Sequence, residues 1–210
     1  MNEYKIIELA SWPRREIFAQ YQRYADPCYN VSVKLPAQAI YEYAKDNDES
    51  FFLLSLYAIL RAANRVEQLR RRLINGQPAE FDRIAALTPV LGPDELFYQV
   101  RCDYYESYED FKAAAAPRIE GAKRGRPSLN ESFSGDFLCA SCLPWLHFEA
   151  VSHAEMEFNQ FIPILSWGKL ENGVIPLSIK VNHSFVDGLH IARFFNGLQR
   201  SFEHPAVLFV

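Results

Sequence analysis

The spacing of apolar residues predicts that helices and strands alternate through the first half of the chain. Phe18 and Tyr21 lie three residues apart, as on one helical face, whereas the segment CYNVSVKL alternates in polarity like a half-buried strand. Asn75 and Gly76 form a stop signal after a long apolar run. The predicted elements are a helix over 12–24, a strand over 28–35, a helix over 36–50 and a long helix over 51–73.

The second half of the chain is predicted to contain most of the strands. The segment GVIPLSIKV is typical of a strand, and Ile191, Phe195, Leu198 and Phe202 share one face of the helix that follows. Pro117 interrupts a helical segment, and we expect the helix to break there. The predicted elements are short strands within 80–105, a helix over 108–125, strands over 136–149, 154–167 and 173–182, and a helix over 188–203.

Two basic segments are predicted to be solvated, and the second of them could instead form an anion site. Residues 70–72 (RRR) follow the predicted long helix, where positive charge suits a helix C-terminus, and we interpret them as a solvated face. Residues 121–132 resemble a loop, in which Lys123, Arg124 and Arg126 could contact a phosphate. A solvated loop is the favoured interpretation of this second segment as well.

The order of the predicted elements limits the fold class and the number of domains. Helices and strands are interleaved, and long strands occur late in the chain, which indicates an α/β or α+β fold with a mixed sheet. The chain has 210 residues, of which 49% are apolar, and this is enough for one sizeable core. We therefore expect a single domain over residues 1–210.

Charge and apolar run length argue against several classes of partner. The formal net charge of −4 lacks the basic excess that is typical of nucleic-acid binding. The longest nearly apolar run, residues 51–60, is far shorter than a membrane span. Glu3, Lys5 and Glu8 interrupt the first segment, which therefore lacks the apolar core of a signal peptide. We expect a cytoplasmic protein that binds neither nucleic acid nor a membrane.

The four cysteines, Cys28, Cys102, Cys139 and Cys142, are predicted to be buried, reduced thiols. Cys139 and Cys142 have the spacing of redox and zinc motifs, but their segment is predicted to be extended. Residues three apart on a strand face opposite sides and lie roughly 10 Å apart along the chain, beyond the reach of a disulfide. No second pair with this spacing supplies the other half of a zinc site.

The segment VNHSFVDG, residues 181–188, contains the densest candidate chemistry. His183 follows a predicted strand, and Asp187 lies four residues later, beside Gly188. A metal site would require His183, Asp187 and His190 on one helix, which the strand-like residues before them oppose. A plain turn and a general base remain, since a neutral imidazole accepts protons near neutral pH once its tautomer is fixed. Asp187 would then pair with a cation from elsewhere in the chain and fix the loop.

Longer segments carry a resemblance to a known family. HSFVDG matches the His-x-x-x-Asp-Gly signature of the chloramphenicol acetyltransferases, which the acyltransferase domains of dihydrolipoamide complexes share. The segments WPRREIFAQY, SCLPWLHF, NQFIPILSWGKL and PLSIKVNHSFVDGLHIARFFNGLQ resemble the chloramphenicol acetyltransferases in the same order, from Tyr4 to Phe202. The resemblance implies a two-layer α/β sandwich with a mixed sheet. It also implies a homotrimer with active sites at the subunit interfaces.

The resemblance implies roles for four residues of the reaction. His183 matches the general base, whose tautomer the family holds by a bond to the histidine's own carbonyl. Asp187 and Arg14 match an ion pair that braces the site. Ser141 matches the serine whose hydroxyl donates to the oxyanion of the tetrahedral intermediate. The family often has two consecutive histidines, and this chain has Asn182 followed by His183, which retains the catalytic position.

An acceptor pocket is implied in the same way. Tyr21, Cys28 and Phe97 match positions that line this pocket, and Ser166 matches a threonine that orders a water near the transition state. From the sequence alone, the three pocket residues are more typical of a core. Val151 stands where the family commonly has an aromatic residue.

Acetyl-CoA is the cosubstrate that the resemblance implies, and no metal is expected. Lys169 matches a family lysine next to a tyrosine that packs near the coenzyme, and Leu170 replaces that tyrosine. Ser50 replaces a lysine of the coenzyme A channel. We therefore expect contacts to the coenzyme that are rearranged relative to the family.

The predicted activity is acetyl transfer from acetyl-CoA to the primary hydroxyl of chloramphenicol or a related small alcohol. The hydroxyl is expected to attack directly in a ternary complex, without an acetyl-enzyme. One alternative is an acyltransferase of the same fold that acts on another alcohol or a dihydrolipoyl thiol. The other is a non-catalytic binding protein, although the joint presence of His183, Ser141, Asp187 and Arg14 favours an enzyme.

Overall fold

Helices and strands are interleaved along the residues that the structure describes. The structure is a computed structural model that covers residues 2–126, 135–153 and 161–209. The strands are β1 (Tyr4–Ile6), β2 (Cys28–Pro36), β3 (Arg71–Ile74), β4 (Gln77–Phe81), β5 (Ala85–Leu91), β6 (Phe97–Cys102), β7 (Phe137–Leu143), β8 (Ile164–Gly168) and β9 (Val174–Asn182). The helices are α1 (Arg15–Tyr21), α2 (Gln38–Asp46), α3 (Phe51–Asn64), α4 (Tyr108–Lys123) and α5 (Gly188–Glu203), with 3₁₀ turns at Glu67–Arg70 and Pro205–Phe209.

A mixed six-stranded sheet organises the fold, in the order β2-β9-β8-β7-β5-β6. The central strands β5, β7 and β8 are parallel neighbours, whereas β9, β2 and β6 run antiparallel to the strands beside them. The longest pairing joins β2 to β9 over nine residues. Strands β1, β4 and β3 form a smaller antiparallel sheet. The predicted mixed sheet is therefore confirmed.

Helices α2 to α5 form the second layer and share one core with the large sheet. Helix α3 is almost entirely buried, and it packs against α5, α2 and α4. Leu177, Ile179 and Val181 alternate along β9 and reach the same core. The four apolar residues that the sequence places on one face of α5 are all buried. Among the described residues, no helix combines the length and apolar character that a membrane crossing requires.

The predicted long helix over 51–73 is wrong in its last part. Helix α3 ends at Asn64, and β3 then forms a hairpin with β4. Asn75 and Gly76 connect the two strands with φ angles of 49° and 78°, the left-handed conformation of a tight two-residue hairpin turn. The Asn-Gly pair thus closes a hairpin and does not stop a helix.

The prediction of a solvated face for residues 70–72 is also wrong, because Arg72 is buried. Its guanidinium donates to the carbonyls of Leu69, Arg71, Gly135 and Phe137, which ties β3 to the start of β7. Burial lowers the pKa of Arg72 to about 9. The arginine therefore completes the hydrogen bonding of backbone carbonyls that water does not reach.

Helix α4 continues through Pro117, contrary to the predicted break. Proline lacks an N–H group, so one carbonyl in the preceding turn loses its helical partner. Phe111, Ala115 and Ile119 are buried on both sides of the proline and anchor the whole helix to the core. Tertiary packing therefore outweighs the local preference of Pro117.

The remaining predictions differ from the structure mainly in their boundaries. Strand β9 confirms the strand over 173–182, and α1 and α2 are shorter than predicted. The strand over 136–149 ends at Leu143, where a turn begins. Residues 127–134 and 154–160, which include parts of the predicted loop and of the strand over 154–167, lie outside the described residues.

The cysteines are free thiols, as predicted. Cys102 is buried, whereas Cys28, Cys139 and Cys142 are only partly buried. Burial raises the pKa of Cys139 to about 11 and that of Cys142 to about 12. Neither thiol of the CASC segment is therefore ionised near neutral pH.

Candidate active site

The candidate site is built on the tight connection between β9 and α5. Strand β9 ends at Asn182, a turn follows, and Asp187 is the N-cap residue of α5. The side chain of Asn182 accepts the N–H of Ser184 at 2.8 Å, and the N–H of His183 donates to Pro27 at 2.9 Å. These bonds fix the backbone on both sides of His183.

Arg14, just before α1, holds this turn together. Its guanidinium donates to both carboxylate oxygens of Asp187 at 2.5 Å, to the carbonyl of His183 at 2.9 Å and to the carbonyl of Ser184 at 2.8 Å. The side chain of Arg14 is only 11% exposed, and that of Asp187 is 38% exposed. The hydrogen bonds from Arg14 hold the pKa of Asp187 below its usual value. Arg14 is therefore the cation that was expected to pair with Asp187.

The imidazole of His183 lies between two tyrosine rings. Tyr21 stacks on it with ring centroids 4.4 Å apart and an interplanar angle of 9°, and Tyr29 packs against it at 4.5 Å. Nδ1 of His183 is buried and lies 3.2 Å from Oδ1 of Asp187, without the geometry of a hydrogen bond. Since the side chain is 33% exposed, the accessible edge is the one away from Nδ1, where Nε2 lies.

The expected bond from Nδ1 of His183 to its own carbonyl is not formed in this structure. Nδ1 has no hydrogen-bond partner among the described residues, and the carbonyl of His183 accepts from Arg14. The orientation of the ring is set by the two tyrosines and by the nearby carboxylate of Asp187. A proximal carboxylate favours the tautomer with its proton on Nδ1, which leaves Nε2 free to accept a proton.

Two residues of the site were missed by the sequence analysis. The hydroxyl of Tyr29 donates to the carbonyl of Val186 at 3.3 Å, and burial together with the charge of Asp187 raises the pKa of Tyr29 to about 12. Gln22 donates to the hydroxyl of Ser184 at 3.0 Å. Both are ordinary residues of a predicted strand or helix, and only the fold brings them to the turn.

The sequence names His190 only as a possible metal ligand, and its role at the start of α5 was missed although the signal was present. The N–H of Asp187 donates to Nδ1 of His190 at 2.8 Å. An N-cap residue followed three positions later by a side-chain acceptor has the spacing of a capping box. Burial lowers the pKa of His190, which favours the neutral ring that can accept this bond. Because His183 precedes the helix, His183, Asp187 and His190 do not share a helical face, as the metal interpretation would require.

A row of serines crosses the large sheet at the level of Ser141. Ser141 of β7 is the register partner of Ser166 in β8, which pairs with Ser178 in β9, which in turn pairs with Ser32 in β2. Ser166 and Ser178 are buried. The hydroxyl of Ser178 accepts from Ser32 at 3.0 Å and from the side chain of Asn30 at 2.6 Å. The predicted Ser141 and Ser166 therefore lie side by side within a polar row.

One chain does not bring all the predicted site residues together. Ser141 is two strands from Ser178, and Ser178 is five residues before His183, which places Ser141 and His183 roughly 19 Å apart. Cys28 and Phe97 lie in the strands at opposite edges of the sheet, roughly 24 Å apart across its width. Phe97 is 65% exposed. The predicted residues therefore form one group around His183 and others at a distance from it.

The positions that the sequence assigns to coenzyme A line one cavity. This cavity has a volume of about 890 Å³ and lies where α2, α3 and α4 meet the ends of β5, β7 and β8. The hydroxyl of Ser50 caps α3 by accepting the N–H of Leu53 at 3.3 Å, and Lys169 forms an ion pair with Glu171 at 2.8 Å. The residues of this lining that bear on the prediction are Ser50, Trp145, Trp167, Lys169 and Leu170, with Lys123 at the end of α4.

The sequence matches a family model and a set of characterised relatives. The family model described as chloramphenicol acetyltransferase matches residues 1–199. The relatives include chloramphenicol acetyltransferase 3 of Escherichia coli, 26% identical over 93% of this chain and 95% of the relative. They also include the chloramphenicol acetyltransferase of Vibrio anguillarum, 28% identical over 94% of this chain and 93% of the relative.

Solved structures lead to the same family. One chloramphenicol acetyltransferase structure has a TM-score of 0.84 and 25% identity, and the match covers 95% of this chain and 99% of that one. The cubic core of a pyruvate dehydrogenase complex has a TM-score of 0.66 at 18% identity over 97% of this chain and 94% of that one, and it shows a shared fold. With a family model that matches nearly its whole length, the chain belongs to the chloramphenicol acetyltransferase family.

Proposed function

We propose that this protein is a CoA-dependent O-acetyltransferase that acetylates the primary hydroxyl of chloramphenicol. The chain acts as a single acyltransferase domain over residues 1–210, in the cytoplasm. The observation that carries the proposal is His183, held between two aromatic rings, with its backbone fixed by Arg14 and its Nε2 edge accessible. Such a ring can accept a proton without a large rearrangement.

His183 is the general base in the proposed reaction. Nε2 takes the proton of the acceptor hydroxyl as its oxygen attacks the thioester carbonyl and forms a tetrahedral intermediate. The carbon–sulfur bond then breaks, and the proton passes from the imidazolium to the coenzyme A thiolate. Asp187 lies 3.2 Å from Nδ1, so its negative charge stabilises the imidazolium between the two steps.

Ser141 is the proposed donor to the oxyanion of that intermediate. Its side chain is partly exposed on β7, and its register partner Ser166 offers a second hydroxyl at the same level of the sheet. A preorganised donor of this kind typically stabilises the transition state by about 3 kcal/mol. Ser178 accepts two hydrogen bonds, which leaves its own proton free to donate toward Ser166.

The active site is proposed to combine residues of two subunits. A base and an oxyanion donor that act on the same thioester must lie within about 8 Å of each other, since each contacts an atom of one reacting group. The separation of roughly 19 Å between Ser141 and His183 within a chain is incompatible with this requirement. A homotrimer with interfacial sites resolves the conflict, because His183 of one subunit faces Ser141 of the next.

Acetyl-CoA is the proposed occupant of the large cavity. The aromatic rings of Trp145 and Trp167 can pack against the apolar parts of the pantetheine arm. Lys123 and Lys169 can bind the phosphate groups of coenzyme A. Cys142 of β7 also lines this cavity, and the thioester must reach the neighbouring Ser141, whose side chain faces the other side of the sheet. Ser50 caps α3 at the position where the family has a lysine. The positive charge of the cavity therefore comes from Lys123 and Lys169.

The test is thiol release from acetyl-CoA, followed with a chromogenic disulfide in the presence and absence of chloramphenicol. Chloramphenicol-dependent release supports the proposal, and His183→Ala should reduce the rate by about 10²- to 10⁴-fold while acetyl-CoA still binds. His204→Ala is a matched control, since His204 is an exposed histidine that follows α5 and lies outside the turn and the cavity. If release is absent with chloramphenicol but present with another alcohol, the acceptor is wrong. If His183→Ala leaves turnover unchanged, the mechanism is wrong.

A further inference from the structure

A second cavity lies between α3 and α5, and arginines dominate its lining. It has a volume of about 310 Å³, and exposed residues at the end of α3 and on α5 line it. Four of the residues around it are arginines, from two helices that pack against each other. The full lining is Arg61, Ala62, Arg65, Val66, Arg193, Asn196, Gly197, Arg200 and Ser201.

The helical spacing of these residues explains how the cavity forms. Arg61 and Arg65 are one turn apart near the end of α3, whereas Arg193 and Arg200 are two turns apart on α5. Gly197 lies between the two α5 arginines, and a Cβ atom placed there would meet no other atom within 4 Å. The missing side chain leaves open space between arginines of the two helices.

The charge of this lining is unusual for the protein. The chain has a net charge of −4, yet no carboxylate is among the residues that line this cavity. Arg65, Arg193 and Arg200 are exposed and form no ion pair with the described residues. Arg61 is buried and donates to the carbonyl of Val207, which fixes its position. Arg65, Arg193 and Arg200 therefore converge without a counter-charge among the described residues, and such like charges repel one another and attract anions.

We propose that the cavity between α3 and α5 is a binding site for a small multivalent anion that carries phosphate groups. Arginine presents a planar fork of donors that matches phosphate oxygens bidentately, and Arg65 from one side with Arg193 and Arg200 from the other can hold a phosphate between them. Asn196 and Ser201 add uncharged hydrogen-bonding groups to the same lining. The volume suits a diphosphate or a small phosphate ester.

This site is separate from the proposed coenzyme A cavity. The two cavities share no lining residue, and the arginine cavity is lined by α3, the two residues that follow it, and α5. Coenzyme A itself carries phosphates, so an anion could bind at either cavity. The experiment must therefore distinguish the two positions.

Inorganic pyrophosphate is the probe, titrated into the full-length protein by calorimetry at low ionic strength. We expect one pyrophosphate per chain, and Arg200→Gln should weaken binding at least about tenfold, as expected for the loss of a charged hydrogen bond. Arg83→Gln is the matched control, because it removes one positive charge from an exposed position outside the cavity. It should leave the affinity within about twofold of that of the unaltered protein, since Arg83 lies outside the lining and offers no hydrogen bond to the bound anion.

Two further arms make the outcome decisive. Saturation with coenzyme A should leave pyrophosphate binding intact, and Arg193→Gln should weaken it as Arg200→Gln does. Thermal unfolding without the anion checks that both variants fold. Binding that coenzyme A abolishes, binding that Arg200→Gln and Arg83→Gln weaken equally, or no binding at all would each overturn the proposal.

Discussion

Replacement of Arg14 by alanine should destabilise the protein and disable the site together. Arg14 makes four hydrogen bonds to three residues of the turn, Asp187, His183 and Ser184, and its side chain is 11% exposed. Alanine leaves two backbone carbonyls and one carboxylate without their donor. The turn that positions His183 would then lose the element that joins it to the segment before α1.

The magnitude follows from these bonds. The two bonds from the charged guanidinium to carbonyls contribute about 1.5 kcal/mol each at the lower end of the usual range. The ion pair with Asp187 adds less than about 1 kcal/mol, since that carboxylate is 38% exposed and partly screened by water. The expected loss is about 3 kcal/mol, which lowers the melting temperature of a protein of this size by about 10 °C.

Urea and thermal unfolding at a fixed protein concentration measure this loss, and steady-state kinetics measure kcat. Arg15→Ala is the matched control, because the Arg15 side chain is 56% exposed and, among the described residues, bonds only the carbonyl of Ala10 and the carboxylate of Glu16. We expect a change below about 0.5 kcal/mol for this neighbour. An Arg14→Ala protein with unchanged stability and unchanged kcat would refute the bracing role.

The same ion pair gives a pH dependence with a definite sign. The pKa of Asp187 is lowered by its hydrogen bonds from Arg14, so the folded state binds a proton there less readily than the unfolded state. The stabilisation is therefore fully present above the unfolded pKa of about 4 and is lost as the pH falls through the lower folded value. The difference in unfolding free energy between the parent and Asp187→Asn should shrink below about pH 4. A difference that grows as the pH falls would contradict this sign.

Three further predictions concern residues outside the ion pair. His190→Leu should lower kcat several-fold, because it removes the acceptor of the Asp187 N–H. His190→Gln keeps an acceptor and should retain most of the activity. Its pH–rate profile should lack the fall at acid pH that protonation of His190 causes. Arg72→Leu should reduce the urea-unfolding free energy by about 3–5 kcal/mol, since each buried carbonyl that loses its donor costs about 1–3 kcal/mol, and an unchanged midpoint would contradict this. Cys139 and Cys142 should resist alkylation by iodoacetamide at pH 8 until the protein is unfolded, because burial raises the pKa of both thiols. Mass spectrometry of the alkylated peptides measures this, and rapid alkylation of the folded protein would contradict it.

The strand and helix around the candidate site were predictable from local pattern alone. Residues 173–182 carry strand-like side chains, and the apolar residues of 188–203 recur at helical spacing, so both elements were placed within a residue or so. Such patterns report which face of an element is buried. They do not report which element lies beside it.

The boundaries that failed depended on partners far away in sequence. Asn75 and Gly76 are compatible with a helix stop or with a hairpin turn. The hairpin is favoured because β4 also pairs with β1, near the start of the chain. Arg72 is buried because it donates to the carbonyls of Gly135 and Phe137. The basic residues next to it in the sequence give no indication of these distant acceptors. Long-range contacts decided both cases.

The candidate site was only partly predictable for the same reason. Arg14 and Asp187 are separated by 173 positions, and their pairing followed from the family resemblance rather than from spacing. The distance between Ser141 and His183 depends on the order and register of β7, β8 and β9, which no local pattern supplies. His190 is the exception, because its capping spacing relative to Asp187 is visible in the sequence.

Subunit complementation tests most directly whether His183 and Ser141 of different chains form one site. His183→Ala and Ser141→Ala proteins, each of low activity, would be unfolded, mixed in equal amounts and refolded together, and chloramphenicol-dependent thiol release measured. In a randomly mixed trimer, about a quarter of the interfaces join an intact His183 to an intact Ser141, so activity should rise to about a quarter of that of the unaltered protein. Activity that stays at the level of the separate variants would contradict a site shared between subunits.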